Sequence, residues 1–209
     1  MRAIRPFLLA SALVVLSTSA AAQNAEGPWM IRVRALSLTP ANKSDAIPSL
    51  NVLADKITVS DKIFPDIDIS YFLTRNIAAE LVLTYPQQHD VELNGTKIGT
   101  FKHLPPTLLA QYHLLPDGVI RPYVGAGVNF TLISNVDLHV PGVGDLDLES
   151  SSVGYAVQAG ADIKLMPGKF LNIDVKKVAI GSDVTKTGTK VTTVNVDPFL
   201  ISVGLGIRF

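Results

Sequence analysis

Cysteine is absent from the 209 residues, which removes disulfide scaffolds and thiolate metal sites from consideration. An excess of either charge is absent too. Eighteen basic residues meet 18 acidic ones, a balance that gives no electrostatic reason to expect nucleic acid or an acidic polymer as partner. Beyond the N-terminus, no stretch approaches the ~20 successive apolar residues that a helical membrane span requires. Catalytic motifs are missing as well. The four histidines, His89, His103, His113 and His139, show no HExxH spacing, and no GxSxG elbow occurs. Gly125-Ala126-Gly127 begins like a dinucleotide loop, but Phe130 stands where the third glycine belongs and no helix signal follows. The expectation is a chain that is not an enzyme and that carries neither metal nor cofactor.

What is present begins at the N-terminus. Arg2 and Arg5 form a positive region, Phe7 to Leu16 an apolar one, and Ala20-Ala21-Ala22 a small-residue cleavage site before Gln23. Those three parts in order predict a secretory signal peptide over 1–22. A membrane-anchoring helix is the alternative, but the apolar segment is about half the ~20 residues needed to cross. The remaining part, 23–209, is expected to form one domain. Without Arg2 and Arg5 it carries 16 basic and 18 acidic residues.

Although 47% of the residues are apolar, the later apolar residues are spread by alternation rather than gathered in runs. Eight segments follow a period of two. The first is Trp29 to Leu38, with Trp29, Ile31, Val33 and Ala35 on one face and Arg32 and Arg34 on the other. The second sets Ile67, Ile69, Tyr71 and Leu73 against Asp66, Asp68 and Ser70. In the third, Ile77, Ala79, Leu81, Leu83 and Tyr85 oppose Glu80 and Thr84. Leu108, Ala110, Tyr112 and Leu114 oppose Thr107, Gln111 and His113 in the fourth. The fifth runs from Val124 to Leu132, the sixth from Val153 to Leu165, and the seventh from Leu171 to Val175. The eighth places Phe199, Ile201, Val203, Leu205, Ile207 and Phe209 against Ser202, Gly204, Gly206 and Arg208. On the apolar parity only Lys177 is charged, and its long stem is able to snorkel from a strand end. Arg32, Arg34, Asp66, Asp68, Glu80, Asp162, Lys164, Asp174, Lys176 and Arg208 fall on the other. An apolar lipid-facing wall around a polar lumen requires this separation, because a charge facing the bilayer midplane costs ~2–4 kcal/mol.

Connections alternate in length. Thr74-Arg75-Asn76, Leu115 to Ile120 and Met166-Pro167-Gly168 are short; Thr39 to Pro65, Pro86 to Thr100, Ser134 to Ser150 and Gly181 to Val196 are long. Short turns on one rim and long loops on the other match an outer-membrane barrel with periplasmic turns. In that orientation Trp29, Tyr71, Tyr112 and Phe209 fall near the lower rim, and Tyr85, Phe130, Tyr155 and Phe199 near the upper. Two interfacial belts result. The fold expected is therefore all-β: an eight-stranded antiparallel transmembrane β-barrel in the cell outer membrane. A lipocalin-type soluble barrel shares the period but turns its apolar face inward; the rim aromatics and loop lengths favour the membrane form.

Four stretches carry a family resemblance: Trp29 to Arg34, Phe101 to Tyr112 (FKHLPPTLLAQY, the most specific), Arg121 to Phe130, and Asp197 to Phe209. Over essentially its whole mature length the chain resembles the OmpW family of outer-membrane barrels. The resemblance implies eight strands and a role in passive passage of small hydrophobic molecules; the related AlkL-type proteins are associated with alkane uptake. The last strand also looks like the signal read by the barrel-assembly machinery, with Phe209 foremost and Ile207, Leu205 and Val203 behind it. Outer-membrane lipid and lipopolysaccharide, that machinery and small hydrophobic solutes are the partners implied.

The mixed charges of the lumen are expected to pair into a network that plugs it, an ion channel being the alternative. Pro105-Pro106 is the more informative feature, since proline lacks the N–H that a closed ladder needs. A wall defect there is expected to open a lateral exit for hydrophobic solutes. Phe101, Leu104 and Leu109 would line it with Pro105 and Pro106, and His103 would lie near its mouth. A bulge that merely bends the wall is the competing reading. Surface-loop binding or adhesion, and a structural envelope role, are the alternative functions. Val136, Leu138 and Val140 also alternate, so the barrel has the means to extend above the membrane.

Overall fold

The computed structural model describes residues 26–48 and 52–209. The expected leader, 1–22, and its cleavage site lie outside the described residues. The strands are β1 (Trp29–Thr39), β2 (Lys43–Ser44), β3 (Ile57–Val59), β4 (Lys62–Phe72), β5 (Ile77–Leu83), β6 (Gln87–Leu93), β7 (Thr96–Leu104), β8 (Thr107–His113), β9 (Ile120–Val140), β10 (Gly144–Leu148), β11 (Ser151–Met166), β12 (Lys169–Val178), β13 (Gly181–Lys186), β14 (Thr189–Asn195) and β15 (Phe199–Arg208).

Eight of them form a closed antiparallel wall, in the order β1, β4, β5, β8, β9, β11, β12, β15 and back to β1. Closure leaves no open sheet edge in the bilayer, where unpaired backbone groups find no water. The first and last spans stay joined beyond the last ladder pair: the Trp29 N–H donates to the Phe209 carbonyl at 3.0 Å, and the Phe209 N–H donates to the Trp29 carbonyl at 2.9 Å. These are the eight spans that alternation predicts, their bounds shifted by a few residues except in β9, which runs well beyond Val124 to Leu132 at both ends.

Burial separates the two kinds of barrel. Val33 is 54% exposed and Leu205 61%, whereas Arg32 and Asp68 between such neighbours are 0% exposed. The apolar face points outward, as lipid requires and as a lipocalin forbids. All eight belt aromatics are exposed at the expected rims. Lys177 reaches the Asp197 backbone carbonyl at the upper end of its strand. Two glycines permit the tight coiling: a Cβ at Gly127 would lie 1.9 Å from the Leu108 carbonyl oxygen, and one at Gly204 would lie 2.1 Å from that of Val33.

Above the upper belt the long loops are themselves strands. β6 and β7 form a hairpin on Asn94-Gly95, both at positive φ (52° and 78°), the signature of a tight two-residue turn. β13 and β14 form another on Thr187-Gly188. β9 runs on to Val140, so the weak alternation after Leu132 does extend the barrel. Along this upper wall the order is β3, β6, β7, β9, β10, β13, β14, β2. It returns to β3 through the Asp55 N–H to Ser44 carbonyl bond at 2.9 Å and the Val59 N–H to Asn42 Oδ1 bond at 2.8 Å.

Candidate functional site: an apolar chamber above a buried charge network

The lower lumen is filled by ions facing one another. The Arg32 guanidinium forks onto Asp162, with Nε to Oδ1 at 2.9 Å and Nη2 to Oδ2 at 2.7 Å, while Nη1 donates to Asp68 at 2.9 Å and to Ser70 Oγ at 2.8 Å. It also reaches Glu80 at 3.3 Å. Arg34 forks onto Asp66. Lys176 bridges Asp174 at 2.5 Å and Glu80 at 3.5 Å, and the Tyr123 hydroxyl donates to Asp174 at 2.9 Å. Below, Glu26 gathers Arg121, Lys164 and Arg208, and Arg208 lies over the Phe72 ring at 3.6 Å. Six cations meet six anions, so the network is neutral as a whole. All ten ions that strand parity sends inward take part. Arg121 and Tyr123 belong to the same parity and were not distinguishable by sequence from the adjoining Gly125 and Gly127.

Over this network the lining changes. Val82, Leu109, Ala156 and Val178 are buried at the transition, and an apolar cluster continues upward through Val91, Phe101, Ile133 and Leu138. It encloses a cavity of about 40 Å³ bordered by strands of the upper wall, including Ile57, Val59, Val184, Val194 and Val196, room for a few water molecules at ~10–15 Å³ each. Phe101 and His103 border the cavity. Leu109 is buried beneath it at the transition, and Leu104, half-buried, stands on the opposite parity from Phe101 and His103.

The wall beside this chamber is broken. The β4–β5 ladder stops at Ile67↔Leu83, and β3–β6 resumes in the same register at Val59↔Val91. Thr84, Tyr85 and Pro86 between them belong to no strand, and Thr84 Oγ1 is buried without a hydrogen-bond partner. One strand further on, β5–β8 stops at Val82↔Thr107 and β6–β7 resumes at Gln87↔His103 with a one-residue slip. Pro105-Pro106 lies in that interval, Pro86 faces it, and Pro65 stands on the β4 side of the other gap. Three neighbouring strands thus carry proline at one level of the wall.

The break is one-sided, although two successive prolines withhold an N–H from each flank of the strand. Toward β9 the register is continuous: the Phe130 N–H donates to the Pro106 carbonyl at 3.0 Å. Asn129 Nδ2 donates to the carbonyls of Pro105 and Pro106, each at 3.3 Å. Proline keeps its acceptor, and on this flank the acceptor suffices.

At the upper edge of the break the His89 and His103 rings face inward, 4.6 Å apart. Both belong to strands above the outer aromatic belt, outside the membrane-spanning part. Burial, with His89 alongside, pushes the His103 imidazole down to about 3; burial lowers that of His89 also. Both rings are neutral at ordinary pH.

The matched sequence model described as "OmpW family" spans residues 25–209. The chain belongs to the OmpW family. An uncharacterized outer-membrane protein of Sinorhizobium fredii, y4mB, is 38% identical over 87% of this chain and 80% of its own. Outer membrane protein W of Vibrio cholerae is 30% identical over 94% of this chain and 95% of its own. The crystal structure of the outer membrane protein OprG from Pseudomonas aeruginosa superposes with a TM-score of 0.75 at 27% identity, covering 88% of this chain and 97% of that one. This OmpW-family barrel is accordingly a protein of the cell outer membrane. Its belts lie at the two interfaces, and its upper chamber rises beyond the lipid.

Proposed function

We propose that this barrel passes small hydrophobic molecules from outside the cell into its apolar chamber and releases them sideways, through the proline-lined break, into the membrane. One observation carries the reading: the apolar chamber ends below on a buried, mutually paired charge network and is flanked by a gap in the wall. An apolar solute gains nothing by entering a lumen whose ions are already satisfied. Its easier course is lateral, at the level of the outer belt, past Phe101, His103 and Leu104 and over Pro105 and Pro106, with Leu109 closing the floor. The family resemblance supports the same class of solute.

The chamber's small volume means that its upper strands must part to admit a guest, so passage is gated rather than free. Insertion itself would use the last strand, where Val203, Leu205, Ile207 and Phe209 present an outward apolar row for the barrel-assembly machinery. Export would remove residues 1–22, and lipopolysaccharide would surround the upper belt.

The test replaces Pro86, Pro105 and Pro106 together by Thr, which restores the missing N–H groups. Folding is checked by heat-dependent gel mobility, and uptake of a small aromatic hydrocarbon is measured in cells lacking or carrying the protein. Restoration of the native protein should speed uptake without general leakiness to polar solutes, and the folded triple variant should lose most of that gain. Full uptake by a folded variant would refute the lateral route. Equal uptake with and without the native protein would move loop binding or an envelope role to first place.

A further inference from the structure

In and beside the apolar chamber lie a few buried polar atoms that the fold leaves unused. His103 is 1% exposed, borders the cavity, and has no hydrogen-bond partner at either ring nitrogen. His89 stands beside His103, ring to ring at 4.6 Å, without itself lining the cavity; it is 0% exposed, and its Nε2 is likewise unpartnered. Ser182, on the β13 side of the cavity, has an unpartnered Oγ. Buried polar groups are nearly always hydrogen-bonded, and exceptions call for a reason.

The chemistry of these atoms is specific. His89 Nδ1 lies 2.8 Å from the Ser60 carbonyl oxygen, which only accepts, so Nδ1 carries the proton and Nε2 is a bare acceptor. A neutral His103 presents one donor and one acceptor. The pair therefore offers acceptors and a single donor, side by side, with the Phe101 ring 5.8 Å from that of His89 and 6.1 Å from that of His103. A hydroxyl matches this set, donating to one bare nitrogen while accepting from the other ring's N–H. A ketone satisfies the donor alone. A carboxylate or ammonium would surrender its hydration in an apolar cavity without a counter-ion. A metal ion finds no group of three suitable ligands among the described residues.

We propose that His89 and His103 form a hydroxyl-recognition site at the inner edge of the wall break, and that the preferred solutes are small apolar molecules bearing one uncharged hydroxyl, such as alkylphenols or alcohols. This rests on the passage reading and names its substrate class. The apolar body of the guest fills the space among Phe101, Ile133 and Val91, while its hydroxyl satisfies nitrogens that a hydrocarbon leaves bare. The site then acts as a filter on solutes bound for the gap.

The experiment compares p-cresol with p-xylene, in which a methyl replaces the hydroxyl. With the mature barrel in lipid nanodiscs, the histidine ring nitrogens are followed by NMR as each compound is added. The p-cresol titration should shift His89 Nε2 and the His103 nitrogens, with an affinity about tenfold above that of p-xylene, the order that one recovered hydrogen bond provides. His103→Phe should abolish that preference, so that p-cresol no longer binds more tightly than p-xylene. Cellular uptake of both compounds is measured in parallel. Unmoved histidine nitrogens, or equal affinities in the native protein, would overturn the proposal while hydrocarbon uptake still supported passage. A p-cresol-specific shift with no protein-dependent uptake of either compound would retain the site and overturn the passage reading instead. The titration needs no variant, so a poorly folding His103→Phe does not decide the matter.

Discussion

At the scale of single residues, Arg32 holds most of the lower lumen together. Its guanidinium meets Asp68, Ser70, Glu80 and Asp162 at once, a geometry that a planar fork with five donors allows and an ammonium does not. Replacing Arg32 by Met would leave three buried carboxylates facing one another with their principal cation gone. Breaking a buried ion pair from one side costs about 3–5 kcal/mol, and the urea midpoint of the reconstituted barrel, read by gel mobility, should fall accordingly. Arg32→Lys should recover only part of the loss. A midpoint unchanged by Arg32→Met would mean that the network contributes little to holding the wall. The same residue marks how far sequence reaches: parity alone places Arg32 and its acidic neighbours inside, but the fork onto Asp162, from a strand 130 positions away, depends on strand tilt and stagger that alternation does not encode.

Among the elements, the membrane spans are legible because lipid imposes one rule on every strand, apolar residues outward. Above the belt the rule inverts, since water is now outside and the apolar cluster inside. β9 shows the switch within one strand: Val124, Val128 and Phe130 point outward, whereas Leu138 and Val140 are buried, the parity changing around Asn135 at a φ of 50°. A reading at fixed parity keeps only the weak alternation of Val136, Leu138 and Val140 there, and it leaves β6, β13 and β14 and the first half of β7 as loops. Pro105-Pro106 is visible in sequence, but its alignment with Pro65 and Pro86 depends on the register of three strands, and so does the meeting of His89 with His103. The interrupted ladders make a kinetic prediction. Amides of Thr84 and Tyr85 should exchange with solvent far faster than those of Leu81 and Val82 on the same chain, while Phe130, held to the Pro106 carbonyl, stays protected. Hydrogen exchange in lipid vesicles checks this. Uniform protection from Leu81 to Gln88 would mean that the wall is closed.

For the whole molecule, the question is which direction a solute takes. The interior has two compartments of opposite character, one neutral through six paired cations and anions, the other apolar and flanked by a gap. An axial pore would require water and ions to pass where Arg32, Arg34, Lys176 and their carboxylates already occupy the lumen of an eight-stranded wall, a width that side chains are able to fill. A lateral route leaves that plug untouched. The two differ in a measurable coupling. In planar bilayers the native barrel should show no steady ion conductance while hydrophobic uptake in cells remains protein-dependent. Lys176→Met, which removes one cation shared by Asp174 and Glu80, should raise ion leakage without raising hydrophobic uptake, because the two processes use different parts of the molecule. Replacement of the wall prolines should do the reverse, lowering uptake with conductance still absent. If uptake and conductance instead rose and fell together across these variants, the solute would be travelling down the axis, and the charge network would be its gate rather than the floor of its chamber.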